Sequence, residues 1–311
     1  MRPPMNQRHL SLPARITRWK KLSLPVFSSF HTNHHPSPVP SAHPHRSLQP
    51  LRTLRTITKL FSRSSWNSPR TMSTLHEPTK EEAMTLFEAI EKKFPHKTIG
   101  GEAWYLVTLS ALVGVEPEHA VHLYTYLIDK PQFSTPGSRQ ALVRRLREAL
   151  VKNVSIQGVC KPLEALFSIA KIERPEDKDY SFSRESWQAG PKTLERGNNW
   201  LNTLYQANLS TPTTLFAAHK DFEFISRQIT YGFYLSDHTI LEPVETELVT
   251  LAGIMIQNLP LETAWHLRGT RRVGVSMEDV ENVQQCIEMV GKYGGAKMHK
   301  IPRVADVEHE V

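Results

Sequence analysis

The sequence predicts an all-α fold, and three observations carry that expectation. From Pro78 onward apolar residues recur at three- and four-residue steps, the spacing of one helical face. Alternation with period two, the mark of a half-buried strand, is hard to find. Entry and exit signals bracket the periodic stretches. Thr79, Thr135-Pro136 and Ser276 stand where helices begin, and Gly274 and Gly294-Gly295 where they end.

Taken in order, the first helix follows Thr79, with Glu81 and Glu82 in the turn where the dipole favours anions, and Met84, Leu86, Phe87 and Ile90 on its apolar face. A second covers about 101–113 through Trp104, Leu106, Val107 and Leu109, and a third about 116–129 through Val121, Leu123, Tyr124 and Leu127. A fourth starts after Thr135-Pro136 and passes the basic turn of Arg144, Arg145 and Arg147, and a fifth covers 161–172. Residues 173–193 hold Pro175, a run of charges and Gly190-Pro191, and read as a linker. Helices follow at 194–206, 217–233, 243–257, 260–273 and 277–293. The expected organisation is therefore a leader 1–71, an N-terminal helical unit 78–172, the linker 173–193, a second helical domain 194–298 and a mobile tail 299–311.

The leader differs in kind from the rest. It carries 12 of the 38 Lys and Arg and none of the 31 Asp and Glu, leaving 26 basic against 31 acidic residues beyond it. The folded part is thus mildly acidic, and the formal charge of +7 is no argument for a nucleic-acid partner. Arg-, Ser- and Pro-rich, acid-free composition is that of a mitochondrial presequence. Within 51–63, Arg52, Arg55, Lys59 and Arg63 share one helical face, opposite Leu51, Leu54, Ile57 and Phe61. The expected location is the mitochondrial matrix; a start at Met72 would leave a cytoplasmic protein instead. The tail His309-Glu310-Val311 is not an S-K-L-type peroxisomal address. His31, His34, His35, His43 and His45 lie among prolines that would not preorganise a metal site. No metal or cofactor is expected, and no apolar run reaches the ~18 residues of a membrane span.

A faint internal echo relates two stretches. REALVKNVSIQGVCKPLEALFSI around Glu148 and TELVTLAGIMIQNLPLETAWHLR around Glu247 share a Glu, an apolar helix, Ile-Gln, Pro and Leu-Glu at nearly equal spacing. That pattern is expected of a duplicated helical unit.

Two residues stand out chemically. Val244, Leu248, Leu251 and Met255 mark the apolar stripe of helix 243–257, and Glu247 shares their side. A carboxylate there must be paired, hydrogen-bonded or protonated, and is a candidate for perturbed acidity. His266 shares a sector of the next helix with Glu262, Gly269, Thr270 and Val273. A histidine with a carboxylate partner can move a proton near neutral pH. Each residue also has a plainer account: Glu247 as a favourable charge near a helix N-terminus, His266 as an exposed i,i+4 partner of Glu262.

LERGNNWLNTLY, FEFISRQITYGFY, VETELVTLAGIMIQNLPLETAWHLRGTRRVGVSMEDV and the KYGG near the end give residues 194–298 a resemblance to the carboxymuconolactone decarboxylase family, which includes alkylhydroperoxidase D-type proteins. The resemblance implies an alkylhydroperoxidase D-like helical bundle, here as two helical units, and a homo-oligomer, at least a dimer or trimer. It places Glu247 and His266 at the site. In the peroxidase branch two cysteines stand between them; here those positions are Leu259 and Glu262, which can neither attack a peroxide nor resolve the product. Cys160 falls near the first-cysteine position of the fainter unit, with Leu163 where its partner would stand. The decarboxylase branch lacks these cysteines and is closer to LPLETAWHLRG. It implies loss of CO2 from a small carboxylated lactone, with His266 as acid, Glu262 beside it, and Arg268 or Arg271 holding a carboxylate. The competing class is a non-enzymatic mitochondrial interaction or assembly protein with a remnant site.

Overall fold

The computed structural model describes residues 77–311. The leader, its basic stretch 51–63, the histidine-rich stretch and Met72 lie outside the described residues. Ten helices are needed to place the site. They are α1 (Lys80–Lys93), α2 (Ala103–Val115), α3 (Ala120–Ile128), α4 (Pro136–Gln157), α5 (Cys160–Ala170), α6 (Pro191–Tyr205), α7 (Pro243–Met255), α8 (Pro260–Arg272), α9 (Met277–Tyr293) and α10 (Val304–Val307). A π-helix, Ile225–Leu235, lies between α6 and α7. There is no strand among the described residues, so the all-α expectation holds.

The centre of the fold follows from composition. α2 reads AWYLVTLSALVGV, and every residue from Ala103 to Val113 is buried. A helix that is apolar all round has to be covered all round. α1, α4, α7 and α9 pack against it. α7 is almost as apolar and is buried from Thr246 to Met255. Two hydrogen bonds to backbone carbonyls cross this contact. Ser110 Oγ donates to the Val249 carbonyl at 2.6 Å, and Gln157 Nε2 donates to the Ser110 carbonyl at 2.7 Å.

α7 comes from the C-terminal half and α2 and α4 from the N-terminal half. One apolar core, running from Ala83 to Val307, therefore serves both expected units. The echo in the sequence corresponds to two helix–turn–helix pairs, α4–α5 and α7–α8. Glu148 and Glu247 are both buried, at the matching positions.

Residues 173–190 lack a helix apart from a short turn at Pro175–Asp177, and the last three residues of the expected linker already belong to α6. Ion pairs fix it. Asp177 is fully buried against Arg139 at 2.8 Å, and Arg147 holds Asp179 at 2.8 Å. The tail expected to be mobile is docked. Val304 and Val307 are buried, Gln284 brackets the backbone at Pro302 and Val304, and Arg271 grips Glu308 through two bonds of 2.9 and 2.7 Å. A helix of four residues is too short to carry a periodic signal. The expected helix 217–233 is also different: two short α-turns, Ser210–Leu215 and Lys220–Phe224, lead into the π-helix.

A second buried charge cluster ties α4 to the segment after the π-helix. Lys152, fully buried, donates to the carbonyls of Tyr234 and Asp237 at 3.0 and 2.6 Å and lies 3.2 Å from Glu148. Desolvation pushes its ammonium down to about 8, against the attraction of Glu148. The folded value lies below the unfolded value of 10.5. As pH rises between the two, the folded chain has shed a proton that the unfolded chain keeps, so stability rises with pH in that window. Urea midpoints measured at pH 7.5 and 9.5 should therefore increase, by at most about 1.4 kcal/mol per pH unit. Lys152→Met should lack the increase; an unchanged increase in that variant would assign it to another group.

Candidate active site

Glu247 sits in the second turn of α7, fully buried, and faces α8. Its Oε1 accepts from His266 Nδ1 at 2.8 Å. The approach is possible because residue 269, one turn beyond the histidine, is a glycine. A Cβ there would come within 2.6 Å of Glu247 Oε1. Burial pushes the pKa of the Glu247 carboxyl above the usual carboxylate value, and the neighbouring imidazole opposes that shift. Its Oε2 is buried without a hydrogen-bond partner.

The other edge of the imidazole faces a pair of phenols. Tyr231 OH lies 3.4 Å from His266 Nε2, and Tyr205 OH lies 2.9 Å from Tyr231 OH. Both tyrosines are buried, and desolvation raises both phenols above their usual value. With Nδ1 donating to the carboxylate, Nε2 carries the lone pair and accepts from Tyr231. A hydrogen-bonded chain thus runs from Glu247 through His266 and Tyr231 to Tyr205.

His266, Tyr231 and Tyr205 all line a cavity of about 360 Å³. Ile156, Leu201, Phe216, Phe222 and Trp265 supply much of its apolar wall. Arg227, on the π-helix, brings a guanidinium to the same wall, where Asn198 at 2.8 Å and Thr213 at 3.0 Å accept from it. π-Winding recurs where a helix must present side chains out of the ordinary register, frequently at functional sites. Here it carries both Arg227 and Tyr231. The π-helix is held against α6 by facing glycines: a Cβ on Gly197 would lie 2.5 Å from the Arg227 carbonyl, and one on Gly232 2.7 Å from the Thr193 carbonyl.

The residues singled out from sequence divide into two sets. Glu247 and His266 meet, and Glu262 lines the cavity, although His266 bonds Glu247 and not Glu262. Leu259 lines it too, so Leu259 and Glu262 are both on its wall. Arg268 and Arg271 are not on that wall and are corrected as substrate ligands: Arg268 pairs with Glu310 at 3.1 Å and Arg271 with Glu308 at 2.7 Å, in the docked tail. Tyr205, Tyr231 and Arg227 were not singled out, although all three lie in the stretches that carry the resemblance. Cys160 is exposed, and Cys286 is buried with its thiol pushed up to about 12. Glu116, Glu118 and His119 bring potential ligand atoms within 4.8 Å of one another, on the turn entering α3 and not on the cavity wall. No described helix is long and apolar enough to cross a membrane.

Among known proteins, the chain is similar to Peroxisomal protein 2 of Schizosaccharomyces pombe (strain 972 / ATCC 24843), with 25% identity over 152 residues, 49% of this chain and 70% of that protein. No protein-family model matches the chain. No solved structure matches it either.

Proposed function

We propose that the cavity binds a small molecule and that His266 transfers a proton to or from it, in the manner of a carboxymuconolactone decarboxylase-like enzyme. The observation that carries this reading is the 2.8 Å contact between His266 Nδ1 and the fully buried Glu247, with His266 lining the cavity. Glu247 fixes the ring and stabilises the imidazolium; Nε2 is the working atom. In a decarboxylation, Nε2 first takes up a proton from solvent to give the imidazolium; the C–C bond to the carboxylate then breaks, CO2 leaves, and the imidazolium returns that proton to the electron pair left on carbon, restoring the neutral ring. Arg227 is the guanidinium placed to hold an anionic group. No thiol takes part in this reading, since the cavity lining holds no cysteine and the resemblance assigns the two cysteine positions to Leu259 and Glu262. The chain works as a homo-oligomer in the mitochondrial matrix in this proposal, on the family resemblance and the acid-free leader respectively. Sequencing the N-terminus of the native protein tests the second point: a start at Met72 removes it.

Glu247→Gln and His266→Asn each keep a group able to complete the buried hydrogen bond, so both variants should fold. Each should lower turnover by about 10²–10⁴-fold, the usual worth of a positioned acid or base. In the absence of an assigned substrate, the readout is complementation of a deletion strain, alongside CO2 release from a panel of carboxylated lactones. Folded variants that both complement fully would overturn the enzyme reading and leave a helical interaction protein with a remnant site.

A further inference from the structure

The mouth of the cavity is built differently from its floor. His266, Tyr205 and Tyr231 are at most 6% exposed, whereas Phe222 and Leu259, which line the same cavity, are 66% and 38% exposed. The flanking sequence continues the theme. Leu215 precedes the lining residue Phe216, Phe224 and Ile225 follow Phe222, and Leu261 stands between Leu259 and the lining residue Glu262; all four are exposed. Large apolar side chains concentrated around an opening, rather than scattered singly, mark a surface that is covered in use. Ligand cavities have this composition too: mostly apolar walls with few polar groups that fix orientation.

We infer that the ligand is amphiphilic: a small polar head lies beside His266, Tyr231 and Arg227, and an unbranched apolar chain runs out over Phe222 and Leu259. This rests on the proposed reading of the cavity as a small-molecule site and adds the substrate class. Three features support it. His266 and Tyr231 are buried and Arg227 is half-buried, whereas Phe222 and Leu259 are exposed, so a ligand entering head first meets each set with its matching part. Arg227, 3.4 Å from Glu223 and sharing the wall with Glu262, offers its guanidinium donors to a carbonyl- or carboxyl-bearing head. The volume of about 360 Å³ is near the lower end for ligand cavities, which leaves the far end of a long chain on the exposed apolar rim.

The test uses the full-length chain and two homologous series, n-alkanoates and n-alkanols from three to ten carbons, each kept below its micelle concentration. Calorimetric Kd should fall about fourfold per added methylene while the chain stays on the protein, in at least one series. Phe222→Ser with Leu259→Ser should flatten that dependence for the longer members and leave the three-carbon member unchanged. Length-independent binding in both series overturns the inference, as does a dependence that the double variant leaves intact. Membrane lipid is the other source of such a chain. Co-sedimentation with phosphatidylcholine vesicles, without uptake of monomeric decanoate or decanol, also overturns it. His266→Asn separates the two proposals: it should keep the chain-length dependence, which is read at equilibrium, while the proton-transfer reading stands or falls on turnover.

Discussion

Replacing Arg184 by Met should destabilise the protein by about 3–5 kcal/mol, the range for breaking a buried ion pair by removing one partner. Arg184 is 9% exposed. Its two terminal nitrogens donate to the two oxygens of Glu148 at 2.7 and 2.6 Å, one of them also lies 3.0 Å from Asp237 Oδ2, and Nε donates to the Phe233 carbonyl at 3.2 Å. Methionine would fill the volume but leave two buried carboxylates facing one ammonium, that of Lys152. The destabilisation is thus the desolvation of charges that stay behind, not the loss of packing. Arg184→Lys should recover less than half of it, because a point charge cannot bridge both oxygens of Glu148 and Asp237 together. Urea unfolding followed by circular dichroism, with an unchanged slope, measures both values. A loss below about 1 kcal/mol for Arg184→Met would mean that water already solvates these carboxylates. The cluster matters beyond stability: it anchors Phe233, Tyr234 and Asp237, the exit of the π-helix that carries Tyr231 and Arg227.

What the sequence made legible depended on whether the information was local. α9 matches the expected 277–293 at both ends, since Ser276 Oγ accepts from the Asp279 amide at 3.1 Å and Gly294 stops the helix. Glu247 was placed on the buried side of its helix by four apolar neighbours, and periodicity was right. His266 was harder, because its sector looked polar and small. Its middle, His266, Gly269 and Thr270, is buried in the fold, where the Glu247 carboxylate lies over Gly269, a contact between two helices that no single-helix pattern contains. Arg268 and Arg271 found partners in Glu308 and Glu310, about forty residues away in a tail without periodicity, so their direction could not be read. Arg227 and Tyr231 were concealed by π-winding: five-residue hydrogen bonding, as from the Ser236 amide to the Tyr231 carbonyl at 2.9 Å, shifts which residues share a face.

Gly197→Ala is the sharpest test of that last element. In a helix interior, glycine to alanine ordinarily stabilises by about 1 kcal/mol, through lower chain entropy. At position 197 the sign should reverse. The new Cβ would stand 2.5 Å from the Arg227 carbonyl, 2.8 Å from the Gly232 nitrogen and 2.9 Å from its Cα, all backbone atoms that cannot rotate away. Relief requires α6 and the π-helix to separate, and overpacking of this kind costs about 1–3 kcal/mol, more where the backbone must move. A net loss of about 2 kcal/mol or more is expected, with Gly232→Ala behaving alike, because its Cβ would meet the Thr193 and Arg227 carbonyls at 2.7 and 2.8 Å. Gly137→Ala is the control: it also lies in a helix, with nothing within 4 Å of its Cβ, and should be neutral or slightly stabilising. The separation should also be felt at the cavity, since Tyr205 ends α6 and Tyr231 precedes Gly232 on the facing helix. Their 2.9 Å phenol contact spans the same crossing. Any binding read at the cavity should therefore weaken in Gly197→Ala more than in Gly137→Ala at temperatures where both are fully folded. If the two variants match in stability and in binding, the glycines do not set this crossing, and the placement of Tyr231 beside His266 Nε2 requires another cause.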